Sequence, residues 1–229
     1  MASESDQKAY QQIELPNEFC VRGDETKNRI VSKFTIKPVA HLKLIPGQKK
    51  KSYSGYPLTD QYYCFSFEDE ANLQKGTFFC GKDVAEDFIQ LIHGSTLELF
   101  NPFKSEPIEG DKRVSFGGGN TNAVRVNKDK KLFIDAARLL MILWNSADKG
   151  QTPLASVLQS AIDDGLSSPP NFAQVLGVNT MLGKSKKTLT EFLSEAKVKY
   201  PTARFKDFDF SPLNAIAERA KFKKFPPHF

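Results

Sequence analysis

The sequence predicts an α+β protein: a β-rich N-terminal domain with one capped helix, followed by a mainly helical C-terminal domain. Three observations carry this expectation. Apolar residues recur with a period of two between Val21 and Phe79, the period lengthens to 3.6 from Leu132 onward, and helix start and stop signals are concentrated in the second half. The expected layout is a polar arm over 1–18, an α+β domain over 19–110, a hairpin linker over 111–128, a helical domain over 129–222 and a basic-aromatic tail over 223–229.

Taken in order, the arm is expected to hold one helical turn around Lys8 to Gln12. Ile30, Phe34 and Ile36 then fall on one side of an extended segment, with Arg29, Lys33 and Lys37 on the other. Pro38 is expected to interrupt this strand, Ala40 to Ile45 to resume it, and Pro46-Gly47 to turn it. Tyr62 to Phe67 and Thr77 to Cys80 read as paired strands joined by an acidic turn. Asp83 and Glu86 form a capping-box pattern, Val84, Phe88 and Ile92 share a helical face, and Gly94 stands at the stop position. A short strand over Thr96 to Phe100 follows, and Val114 to Val126 reads as a hairpin around Gly117-Gly118-Gly119-Asn120.

Beyond it, Leu132, Phe133, Ala136, Leu139, Leu140 and Leu143 mark one long amphipathic helix. Thr152-Pro153 reads as a cap followed by a first-turn proline, and Ser211-Pro212 repeats the device. Phe172 to Leu176, Thr190 to Lys199 and Leu213 to Ala220 complete the helical set.

Composition narrows the function classes. The 229 residues are 40% hydrophobic and 26% charged, as in a globular chain able to bury its own core. The longest apolar stretch, Phe133 to Trp144, contains Asp135 and Arg138 and is too short to span a bilayer. The polar, acidic start does not read as a secretory signal, and three widely spaced cysteines suit a reducing compartment, so a cytoplasmic location and no membrane partner are expected. The net charge of +5 is uneven: residues 1–110 carry 13 Lys and Arg against 16 Asp and Glu, and residues 111–229 carry 19 against 11. One strongly basic half points to a polyanionic partner.

Three features sharpen that expectation into nucleic-acid binding, DNA or RNA. The run from Thr26 to Thr59 holds eight basic residues and no acidic one. Within it Arg29, Lys33, Lys37, Lys49, Lys50 and Lys51 are candidate phosphate contacts, and Tyr53 and Tyr56 offer rings on which unpaired bases stack. A solvated edge strand guarded by lysines has the same composition. Second, Phe172-Ala173-Gln174-Val175-Leu176-Gly177-Val178 follows the spacing with which a helix-turn-helix enters its turn, and Lys184, Lys186 and Lys187 come next. The pattern decays there, since Gly183 and Lys186 occupy positions that should be apolar and Thr188-Leu189-Thr190-Glu191 starts a helix of its own. A short helix ended by a glycine cap explains the same residues. Third, the end of the chain interleaves lysine with aromatics. Lys221, Lys223, Lys224 and Phe225 are candidates for nucleic-acid contact, or for an exposed anchor onto a protein partner, or for a tail folded back on its own domain.

Catalysis finds little support. Gly177 to Ser185 resembles a phosphate-binding loop, but five residues separate Gly177 from Gly183 where four are required. No pair of His or Cys has metal-ligand spacing, so no metal or cofactor is expected. Cys80 precedes a helix, yet no histidine lies nearby to activate it. Asp129-Lys130-Lys131 and Glu195-Ala196-Lys197 spell the acid–lysine pattern of metal-dependent nucleases without its strand context. The expected function is therefore non-catalytic nucleic-acid binding, with a protein–protein adaptor as the alternative and a nuclease third.

Overall fold

The computed structural model describes residues 11–104, 126–144, 148–220 and 224–229. It is an α+β protein, with a mixed sheet in the N-terminal half and mostly helices in the C-terminal half. Two compact units divide the chain: Met1–Asn101 with Ala137–Gln159, and Pro102–Ala136 with Ser160–Phe229. The expected hairpin around Gly117-Gly118-Gly119-Asn120 lies outside the described residues.

The sheet of the first unit takes β1 (Gln11–Gln12), β2 (Thr35–Lys43), β5 (Gln61–Asp69), β6 (Gln74–Cys80) and β7 (Leu99–Phe100) in the order β1-β6-β5-β2-β7. The pairs β2–β5 and β5–β6 are antiparallel, and the two short outer strands run parallel to their neighbours. A separate small hairpin joins β3 (Lys50–Lys51) to β4 (Pro57–Leu58). Strand alternation sends Tyr63, Phe65 and Phe67 to one face, opposite Cys80, Phe78 and Gly76 of β6. On that face they form a core with Ile30 of helix α1 (Asp24–Lys33) and with Ala85, Phe88 and Ile89 of α2 (Lys82–Leu91). Phe65 and Phe78 stack with centroids 5.3 Å apart, and Phe88 lies 5.6 Å from Phe65.

Several local expectations are corrected. Residues 24–33 form α1 and not a strand. Ile30 and Phe34, like Arg29 and Lys33, are spaced i, i+4, which places them on one side under either period. What decides is the charge order: Asp24 and Glu25 occupy the first turn and Lys33 the last, each favourable to the helix dipole. Lys27, nearly buried, pairs with Asp24 at 2.7 Å and with Asp87, tying α1 to α2. Pro38 does not interrupt β2. The register shifts between Pro38 and Ala40, so a bulge absorbs the proline, and β7 covers β2 only at His41 and Leu42. Of the helical turn expected around Lys8 to Gln12, residues 8–10 lie outside the described residues; Gln11–Gln12 form a strand, in which Gln11 and Ile13 donate to the carbonyls of Leu73 and Lys75.

Helix α2 begins after Gly81 without a side-chain cap, so the Asp83–Glu86 box is not made. Its stop is a Schellman turn with His93 in the left-handed region (φ 50°). The amides of His93 and Gly94 donate back to Gln90 and Ile89.

The acidic turn between β5 and β6 is built on Asp69. Its carboxylate accepts from the side chain of Asn72 at 2.8 Å and from the amides of Ala71 and Asn72. The Asn72 side chain, then these amides, hold the carboxyl below the ordinary aspartate range. A depressed value adds stability that is present above the unfolded pKa and lost as pH falls through the folded one. Asp69→Ala is expected to lower the urea midpoint at neutral pH and to converge with the wild-type midpoint in strong acid. A constant difference across the pH range would contradict this.

Five helices follow: α3 (Lys128–Leu143), α4 (Asp148–Asp163), α5 (Phe172–Ser185), α6 (Leu189–Lys199) and α7 (Ser211–Arg219). Asn127 caps α3, accepting from the amides of Asp129 and Lys130 at 3.0 Å. Helix α4 starts at Asp148, one turn before the expected Thr152-Pro153 cap, and Pro153 sits inside it. At the sixth residue of the helix a proline cannot donate the i→i−4 bond, and its ring crowds the carbonyl four residues earlier. Helix α5 runs unbroken through Gly177, so neither the helix-turn-helix turn nor the glycine cap forms there; Lys186, left-handed at φ 58°, ends it instead. Asn171–Gln174 and Thr188–Glu191 make complete capping boxes for α5 and α6. At α7 Ser211 is the first helical residue and not the cap; Phe210 holds the N-cap position without a side-chain cap bond, and Asp209 accepts from the Ser211 amide at 2.9 Å. Among the described residues no helix is long and apolar enough to cross a membrane.

Candidate functional site

Of the expected basic and aromatic residues of the first unit, Lys49, Lys50, Lys51, Tyr53 and Tyr56 lie at the β3–β4 hairpin, whereas Arg29, Lys33 and Lys37 lie elsewhere. The Ser52 amide donates to the Tyr56 carbonyl at 2.8 Å, the Tyr56 amide to Ser52 Oγ at 2.9 Å, and Gly55 takes a left-handed turn position (φ 82°). The Tyr53 amide donates to the Phe79 carbonyl at 2.7 Å, which fastens the hairpin to β6. Between the hairpin and the segment Glu14–Cys20 opens a cleft of about 270 Å³, floored by Thr77, Phe78 and Phe79.

Each hairpin side chain has a distinct setting. Tyr53 packs edge-on against Phe78 and Phe88, with centroids 5.8 and 6.0 Å away, and burial raises its phenol pKa. It forms a wall of the cleft and not a free stacking platform. Tyr56 is 56% exposed, and the guanidinium of Arg22 lies 4.2 Å from its ring centroid. Lys49 and Lys51 are exposed. Lys50, between them, is only 3% exposed; its ammonium sits 3.9 Å from the centroid of Phe79 and 5.4 Å from that of Tyr62. Strand alternation turns Lys50 inward and Lys51 outward, which removes Lys50 from the surface.

Arg29 and Lys33 stay together on the exposed side of α1, over the ring of Phe19 at 5.1 and 5.5 Å. Glu18 approaches Lys33 at 4.0 Å. The short turn Asn17–Phe19 thus borders both places, since Asn17 and Cys20 line the cleft while Glu18 and Phe19 face α1. Lys37, next to the core residue Ile36, projects from the other face of the sheet.

In the second unit, Lys184 and Lys186 are exposed where α5 ends. Lys187 is held by both carboxylate oxygens of Glu195, at 2.6 and 2.9 Å. Lys224 is exposed, and Phe225 lies over Gly183. Lys221 and Lys223 lie outside the described residues. The exposed aromatic anchor is corrected: Phe229 is buried, and the segment around it is hydrogen-bonded to its own unit.

The thiols are not set up as nucleophiles. Burial raises Cys20, pushes Cys64 up to about 12 and lifts Cys80 well above the ordinary thiol value. Among the described residues no three His, Cys, Asp or Glu side chains are placed to hold a metal ion.

Sequence reasoning missed Arg22, Glu14, Asn17 and Cys20. Arg22 stands just outside the acid-free run, separated from it by Asp24 and Glu25, and no periodicity ties it to Tyr56. Its pairing with that ring comes from the way α1 is entered.

The class these features define is an α+β protein with a basic, tyrosine-bearing hairpin beside a small polar cleft. It belongs to the family described as Uncharacterised conserved protein UCP028583, whose model matches residues 20–228. No curated protein and no solved structure matches the chain.

Proposed function

We propose that the protein binds nucleic acid without catalysis, and that the β3–β4 hairpin is its contact surface. The observation that carries this is the exposed Tyr56 ring with Arg22 on it at 4.2 Å, flanked by Lys49 and Lys51. The guanidinium covers one face of the ring, which leaves the other for a base, and the two lysines supply phosphate neutralisation. That combination suits an unpaired base better than a duplex. Glu14, in the cleft, and Glu18, beside Lys33, repel phosphate and confine the backbone path to the hairpin tip. Three free thiols suit the reducing cytoplasm.

Fluorescence-anisotropy titrations with single-stranded DNA, duplex DNA and RNA of equal length, at several salt concentrations, test this. The Lys49→Glu/Lys51→Glu variant is expected to bind single strands at least about tenfold more weakly, with a salt slope shallower by about 1.4 for two lost contacts. Tyr56→Ala is expected to lose about tenfold with an unchanged slope, since stacking is not ionic. An unchanged slope in the lysine variant removes the hairpin from the site. Absence of binding to all three nucleic acids at low salt overturns the reading.

A further inference from the structure

We propose that the second unit carries a receptor groove for an extended Phe-Pro-Pro-X-Phe segment, which Lys224–Phe229 fills as an internal ligand and which a partner segment of the same chemistry can occupy. The inference is independent of nucleic-acid binding. Its basis is the way two helical asparagines read main chain. Asn179, on α5 and 1% exposed, donates through Nδ2 to the carbonyls of Pro226 at 3.0 Å and Phe225 at 3.4 Å. Its Oδ1 accepts from the His228 amide at 2.8 Å. Asn214, on α7, holds Phe229 from both sides, accepting from its amide at 3.0 Å and donating to its carbonyl at 3.2 Å. The Leu189 amide, at the start of α6, donates to the His228 carbonyl at 2.8 Å.

The distribution of these bonds explains the sequence of the occupant. The amides of residues 228 and 229 are bound, and positions 226 and 227, where the groove supplies no acceptor, are prolines that have no amide to satisfy. Consecutive prolines also hold the backbone extended before it docks, which lowers the ordering cost. Two aromatic sites bracket the clamp. Phe229 is 3% exposed, and Phe225 lies so close over Gly183 that an added Cβ would stand 2.8 Å from Phe225 Cβ and Cδ1. Asparagine is a poor helix former and a buried amide is costly without partners, so Asn179 inside α5 calls for an occupant that completes its bonds. This is recognition of an extended peptide by main-chain hydrogen bonds with pockets for selected side chains.

The test uses a fluorescein-labelled peptide of residues 224–229 and the full-length chain. With Phe229→Ala loosening the internal segment, the peptide is expected to bind in the micromolar range. The intact chain should bind it at least about tenfold more weakly, because the tethered segment competes at high effective concentration. Adding Gly183→Ala to that variant should abolish binding while helical circular dichroism is retained, since alanine favours the helix and only the Phe225 seat is filled. A peptide with both prolines replaced by alanine should fail. The proposal is overturned if the peptide does not bind a Phe229→Ala chain of native helicity, or binds the Gly183→Ala variant equally well. Should Phe229→Ala lose its helical signal, a photo-crosslinking peptide at millimolar concentration with the intact chain decides. Cross-links to α5 or α7 support the groove, and their absence overturns it.

Discussion

Lys50→Glu is expected to destabilise the protein by about 3–5 kcal/mol, the usual consequence of an uncompensated buried charge. The side chain is 3% exposed, and its ammonium lies over the face of Phe79, with Tyr62 next to it. Those ring faces carry the negative lobe of the aromatic quadrupole, so they attract a cation and repel a carboxylate. Tyr62 cannot compensate: it is fully buried, and burial raises its phenol pKa well above the ordinary value, keeping it neutral. Lys49→Glu and Lys51→Glu, on exposed neighbours, are expected to change stability by no more than about 0.5 kcal/mol. Urea denaturation of the three single variants measures this directly. Equal midpoints would show that Lys50 is not buried. The result also governs the functional test, because reversing all three lysines together would confuse loss of contact with loss of fold.

Gly76→Ala is expected to cost about 3 kcal/mol. For a chain of this length that lowers the melting temperature by about 6–12 °C. Gly76 of β6 stands opposite Phe67 of β5, and both belong to the face that packs against α1 and α2. A Cβ built there would lie 2.6 Å from two carbons of the Phe67 ring and would run into the main-chain carbonyl of Ile13. Neither neighbour can yield cheaply. The Phe67 ring is fully buried and meets Phe34 edge-on at 5.1 Å, while Ile13 is pinned by its own amide to the Lys75 carbonyl at 2.9 Å. Thermal unfolding followed by circular dichroism checks the effect, and a shift within about 2 °C of wild type would contradict it.

Much of the fold was legible because it is encoded over short spans. The β5–β6 pair and the following helix declare themselves through strand periodicity, an acidic turn and a helical apolar face, and each signal lies within about ten residues. The Thr188–Glu191 capping box was readable for the same reason: all its hydrogen bonds connect residues three apart. Where spacing was ambiguous the reading failed. Positions 29, 30, 33 and 34 fit a strand and a helix equally, and only the charge order within the segment separates the two.

The candidate site was legible only in part. Acid-free composition picked out the hairpin, and Lys49, Lys51 and Tyr56 do stand exposed on it. Composition could not distinguish Lys50 from its neighbours, since three consecutive lysines carry no phase until a strand pairs and one face is covered. Nor could it find Arg22, which meets the Tyr56 ring only across a long separation in sequence.

By itself, then, the sequence determined the α+β class, the change of period between the two halves, the Thr188–Glu191 helix cap and the basic character of the hairpin. These depend on backbone propensity and side-chain periodicity between near neighbours. Tertiary structure alone decided that Lys50 turns inward over Phe79, that Arg22 covers one face of Tyr56, and that Asn179 and Asn214 close on the segment ending at Phe229. Each of those joins residues from 15 to 49 positions apart. The partner of a polar side chain at that separation is chosen by which surfaces the packed core brings together, and local sequence carries no record of that choice.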